Sequence, residues 1–102
     1  MVRMIRRVML ITIENPDPAH LERMRRCLSE TTAHVEGVVK SVVSQALPIN
    51  NSPCTFVWDT VFADRAAIEV YREHPYHTGV LVDLFTSVKF NATTAFVDDA
   101  GA

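Results

Sequence analysis

Apolar and polar positions along the chain alternate in two rhythms, and each rhythm predicts an element. Residues 5–14 are rich in β-branched and apolar side chains, with Met9, Ile11 and Ile13 alternating against Val8, Leu10 and Thr12. That pattern predicts a strand that is largely apolar on both sides and therefore covered on both faces. Asn15-Pro16-Asp17-Pro18 breaks the strand. Asp17 is a good helix N-cap, and Pro18 fits the first helical position, where a missing N–H costs nothing. Leu21, Met24, Leu28 and Val35 then form one apolar stripe at helical spacing, and Gly37 is the predicted stop.

A second strand is predicted over 38–47, followed by an Asn-rich loop from Pro48 to Pro53. A third runs from Thr55 to Ala63, with Phe56, Trp58, Thr60 and Phe62 on one face and Val57, Asp59 and Val61 on the other. Asp64 caps a helix in which Ala67, Ile68 and Tyr71 share a face, and His74-Pro75 interrupts it. A further helical stretch over 76–86 carries Val80, Leu81, Leu84 and Phe85, and residues 88–97 form the last strand. Asp98 and Asp99 read as the start of a solvated tail. The order β-α-β-β-α-α-β predicts an α+β, ferredoxin-like fold, a four-stranded antiparallel sheet with helices on one face. The other face of the sheet is apolar enough to need cover, which two sheets packed face to face in a homodimer would supply.

Size and charge narrow the function classes. The chain has 102 residues, 48% hydrophobic and 22% charged, with a net charge of −2, proportions of one ordinary globular domain spanning residues 1–102. A charge this close to zero argues against a protein built to coat nucleic acid. Arg3, Arg6 and Arg7 on the first strand, and Arg23, Arg25 and Arg26 on the first helix, read as solvated edge-strand and helix-surface arginines. No apolar run approaches the roughly 20 residues of a transmembrane helix, so no membrane partner is expected. The apolar stretch 8–13 is short for a signal peptide and is followed by Glu14-Asn15-Pro16-Asp17 in place of small cleavage-site residues, which reads as a cytoplasmic protein. Cys27 and Cys54 lack metal spacing and read as free thiols. With three glycines the chain has no phosphate-binding loop.

The run from Phe62 to His77, FADRAAIEVYREHPYH, is more specific. It resembles the stress-responsive A/B barrel (Dabb) family of dimeric α+β barrels, in which a strand-ending Phe leads into a helix reaching a Tyr and then a His-Pro-x-His junction. The family often ends its last strand with an acidic residue, where this chain has Asp98, and often carries His where this chain has Arg7. The resemblance implies a dimeric α+β barrel. It extends to the family's plant olivetolic acid cyclase, which closes a linear polyketide by aldol condensation using a Tyr and a His that fall on Tyr71 and His77. A neutral His beside an apolar pocket takes a proton α to a carbonyl at neutral pH, and a Tyr hydroxyl holds the developing oxyanion.

The enzyme reading is therefore a small cofactor-free cyclase or lyase-like protein acting on a polyketide-like or other β-dicarbonyl substrate. His77 would be general base, Tyr71 the carbonyl partner, and Met9, Ile11, Leu28, Trp58, Ile68 and Leu81 the walls. Arg7 at the mouth would favour an anionic group, a carboxylate or a thioester-carried phosphate. His74 and Pro75 read as a structural junction, and the Pro between His74 and His77, with no third ligand in view, argues against a metal. The competing reading is a non-catalytic stress-associated or small-ligand-binding protein. Cavity volume separates the two, because an enzyme needs a few hundred Å³ faced by both His77 and Tyr71.

Overall fold

The computed structural model describes residues 3–99. Its four strands are β1 (Ile5–Ile13), β2 (Val38–Gln45), β3 (Phe56–Phe62) and β4 (Phe90–Asp98). They form one sheet in the order β2-β3-β1-β4, every neighbour antiparallel. The helices are α1 (Pro18–Ser29), the single turn α2 (Thr31–His34), α3 (Arg65–Glu73), a π-helical stretch Tyr76–Leu81 and α4 (Val82–Thr86). A short 3-10 turn, Ile49–Asn51, occupies the Asn-rich loop, with Asn50 and Asn51 both at φ 57°, a backbone Asn tolerates better than most residues.

Strand pleat decides which residues meet the helices. Register pairs Met9 with Trp58, Ile11 with Phe56 and Ile5 with Phe62, so these side chains share one face. That face packs against Met24 and Leu28 of α1, Ala67, Ile68 and Tyr71 of α3, and Leu81 and Leu84 beyond. Met24, Leu28 and Ile11 are fully buried, worth about 1.5–3 kcal/mol each by transfer from water. Asp17 caps α1 by accepting from the Ala19 N–H, and Asp64 caps α3 by accepting from the Ala67 N–H at 2.8 Å.

Several local expectations change. The first helix does not run to Gly37. It ends at Ser29, where the Glu30 N–H closes the last turn on the Arg26 and Leu28 carbonyls and the Thr31 hydroxyl donates to Leu28 at 2.7 Å. Gly37 instead turns the chain into β2 at φ 93°, with no room for a side chain: an added Cβ would lie 2.8 Å from the Ala67 Cβ. β2 ends at Gln45, and its pairing slips by one residue between Val38 and Lys40. β4 begins two residues later than expected and includes Asp98, which pairs with Ile5 in register and binds Arg3. Among the described residues β1 is covered on one face only. Leu10 is 46% exposed, and Val42 and Val97 lie with it on the open face, around an ion pair of Arg6 and Asp59 at 2.6 Å. No helix among the described residues is long and apolar enough to cross a membrane.

Candidate functional site

β1 is a central strand, and this changes the standing of Arg7. Its side chain points to the helix-covered face and is only 7% exposed, not solvated as the arginine cluster suggested and not at a pocket mouth. The guanidinium carbon lies 4.4 Å from the Trp58 ring centroid, 5.1 Å from Tyr71 and 5.5 Å from Phe62. Nη2 donates to the Thr60 hydroxyl at 3.2 Å, and Nε is sealed from solvent without a hydrogen-bond partner. Arg3, Arg6, Arg23 and Arg26 are exposed, as expected.

The helical side of the site is set by the His74-Pro75 junction. His74 is held extended (φ −69°, ψ 138°), as a residue before proline must be, and closes α3. Its Nδ1 accepts the Tyr76 N–H at 3.0 Å, while its carbonyl accepts the His77 N–H at 2.9 Å. The chain turns sharply there, and the wider π-helical turn that follows returns His77 over α3. His77 and Tyr71 come together with ring centroids 4.6 Å apart. His77 Nδ1 lies 3.1 Å from the Arg72 carbonyl oxygen. A carbonyl only accepts, so the neutral ring carries its proton on Nδ1 and keeps the lone pair on Nε2. Burial pushes the Tyr71 phenol above its ordinary range, against the pull of the neighbouring Arg7 charge and of the hydrogen bond it accepts from Arg7, so this hydroxyl stays protonated.

These groups line one cleft of about 280 Å³ between the sheet and the last helical segments. Arg7, Met9, Trp58, Tyr71, His77 and Leu81 are brought together there, with Val82, Phe85, Thr86 and Phe90 completing the wall. Phe85 and Phe90 pack at 4.8 Å, which ties α4 to the start of β4. Ile11, Leu28 and Ile68 lie outside it. The first two are fully buried in the core, and Ile68 borders a separate surface groove with Ile5, Arg65 and Phe96. Of the four wall residues the sequence reading missed, Val82, Phe85 and Thr86 continue a helical face from Leu81. That signal was present in the 76–86 pattern. No acidic residue among those described lines the cleft. No group of three His, Cys, Asp or Glu able to hold a metal occurs among the described residues.

Comparison with solved structures places this architecture. The chain aligns with a dimeric protein of unknown function and ferredoxin-like fold from Bacteroides fragilis, at 12% identity and a TM-score of 0.80, over 93% of this chain and 95% of that one. The fold is ferredoxin-like. A dabb family protein with a ferredoxin-like fold from Mesorhizobium loti is similar at 21% identity and a TM-score of 0.73, over 91% of this chain and 95% of its own. The hydroxynitrile lyase from Passiflora edulis matches at 8% identity and a TM-score of 0.77, over the full length of both chains. No family model and no curated protein matches the sequence. At these identities the likeness is one of fold.

Proposed function

We propose that this chain belongs to the stress-responsive A/B barrel (Dabb) family, as a homodimer whose cleft performs cofactor-free acid–base chemistry on a carbonyl-bearing, largely apolar molecule. The observation that carries the reading is the His77–Tyr71 pair, an imidazole whose Nδ1 faces the Arg72 carbonyl at 3.1 Å, beside the Tyr71 ring in one cleft. The Phe62–His77 run and the structural likeness to a dabb family protein support the family. A hydroxynitrile lyase on the same fold supports lyase chemistry in such a scaffold. The exposed apolar positions Leu10, Val42 and Val97 on the open sheet face, and a dimeric structural neighbour, support the homodimer. Cys27 and Cys54 are both free thiols, in keeping with a cytoplasmic setting.

In this mechanism Nε2 of His77 removes a proton from the carbon α to a carbonyl. The C–H electron pair moves into the carbonyl, and the Tyr71 hydroxyl donates to the resulting enolate oxygen. The enolate carbon then attacks a second carbonyl of the same molecule, closing a ring as in olivetolic acid cyclase, and the imidazolium returns its proton to the new alkoxide. His74 and Pro75 serve as the junction that positions His77.

The reading is tested by screening polyketide-like β-dicarbonyl compounds for turnover with the wild type, His77→Ala and Tyr71→Phe. Turnover is expected in the wild type, with a loss of about 10²–10⁴-fold in His77→Ala. Equal rates in the two would overturn it. The apolar lining of the cleft also suits a second reading, small-ligand binding without turnover, in which the same compounds bind and are recovered unchanged.

A further inference from the structure

We propose that the ligand of the cleft carries a carboxylate and that Arg7 receives it at the buried end. This deepens the reading of the cleft as a ligand site and is independent of whether the site turns its ligand over.

Arg7 carries a charge that the described fold does not balance. A guanidinium keeps its charge, and an arginine taken out of water is ordinarily matched by a carboxylate. The ion pairs among the described residues involve Arg3, Arg6, Arg25, Arg72 and Lys89, not Arg7. Asp59, a neighbour in sequence of both Trp58 and Thr60, lies on the opposite face of the sheet and is bound to Arg6. Arg7 instead has three aromatic rings and two neutral hydroxyls around it, those of Thr60 and Tyr71, and its Nε has no acceptor among the described residues. Rings and hydroxyls soften the burial of a cation without neutralising it. No acid among the described residues lines the cleft that Arg7 lines, and none of them supplies the matching negative charge.

The geometry favours a carboxylate over a phosphate. A planar guanidinium matches a planar carboxylate, and one charge neutralises one charge. A phosphate dianion would bring a second negative charge into an apolar cleft whose only other ionisable groups are the Tyr71 phenol and His77. The ligand class is thus a monoanionic acid with an apolar body, its carboxylate against Arg7 and its body against Trp58, Leu81 and Phe85.

The test needs no knowledge of the natural ligand. Trp58 is the chain's one tryptophan, and Arg7 sits on it, so its fluorescence reports an anion arriving at the guanidinium. The probes are 4-phenylbutanoate and its primary amide, which have nearly the same shape and differ in charge. In the wild type the acid is expected to bind at least about tenfold more tightly than the amide, the usual effect of a hydrogen bond to a charged group. In Arg7→Met the ratio falls to near one, and in Arg7→Lys, which keeps the charge but not the fork, it falls between the two. Millimolar inorganic phosphate leaves the acid bound. Equal affinity for acid and amide in the wild type would overturn the proposal. So would an acid preference that survives in Arg7→Met, displacement of the acid by phosphate, or failure of both probes to bind. 4-Phenylbutanoate has no ketone, so loss of the catalytic reading leaves this result untouched, and the reverse also holds.

Discussion

Replacing Arg7 with Met and Thr60 with Val together removes a buried charge and one of the two neutral hydroxyls beside it, while keeping side chains of similar reach. Burying an unpaired guanidinium costs several kcal/mol after relaxation. Its contact with Trp58 at 4.4 Å returns about 2 kcal/mol when desolvated. The Thr60 hydrogen bond at 3.2 Å, toward the long end of the range, returns about 1.5 kcal/mol. These offset most of the penalty but not all of it, and Met recovers about 0.3–1.5 kcal/mol through sulfur contact with the rings. The double variant is therefore expected to be more stable than the wild type by about 1–2 kcal/mol, a rise in Tm of about 5–10 °C for a domain of this size. Arg7→Met alone leaves the fully buried Thr60 hydroxyl without its partner, which costs about 1–3 kcal/mol and brings that variant back near the wild type. Urea denaturation followed by circular dichroism measures both, at one protein concentration because self-association on the proposed dimer face would feed into apparent stability. A double variant less stable than the wild type by more than about 1 kcal/mol would mean that Arg7 holds the fold together, and the argument for a missing counter-ion would fail.

Other outcomes follow from the same structure. Gly37→Ala forces a Cβ to 2.8 Å from the Ala67 Cβ at a φ that side chains avoid, so a loss of about 2–4 kcal/mol is expected in the same denaturation assay. The Tyr76 hydroxyl donates to the Cys27 carbonyl, and burial first, then the nearby Cys27 and Glu30, push its pKa up to about 12. A pKa raised on folding adds stability that is complete below the ordinary tyrosine value near 10 and is lost as pH rises toward about 12. Wild-type stability should fall across that alkaline window, and Tyr76→Phe should flatten the fall. Leu10→Asp places a charge at the centre of the open sheet face, so sedimentation should find a dimer in the wild type and a monomer in the variant.

Much of the architecture was legible because its signals are local. Asp17-Pro18 and Asp64 cap their helices, the Phe56–Phe62 alternation marks the buried face of β3, and Ala67, Ile68 and Tyr71 mark that of α3. What was not legible depends on strand order and on coverage. Local periodicity assigns Arg7 to a face of β1 but says nothing of β1 lying between β3 and β4, so a central arginine looks like an edge one. Similarly, Ile11, Leu28, Met9 and Leu81 are equivalent as apolar residues on inward faces. Only the packing of α1 against the sheet seals the first two, while the gap beside the last helical segments leaves the other two lining a cleft. The break at Glu30 turns on the Leu28 carbonyl, which accepts from the Glu30 N–H and from the hydroxyls of Thr31 and of distant Ser41. The π-helical stretch after Pro75 shifts the helical phase, leaving Val80 exposed where an α-helical stripe would bury it.

On the function proposed above, His77 and Tyr71 act on a proton α to a carbonyl without help from a cofactor. Exchange of deuterium from D2O into the α-methylene of 4-oxo-4-phenylbutanoate and of its primary amide, followed by proton NMR, measures that step whatever reaction comes after it. Wild-type protein should accelerate exchange in at least one of the two compounds, with a loss of about 10²–10⁴-fold in His77→Ala and a smaller loss in Tyr71→Phe. Exchange at the buffer rate with wild-type protein, or the same acceleration from His77→Ala, would contradict it.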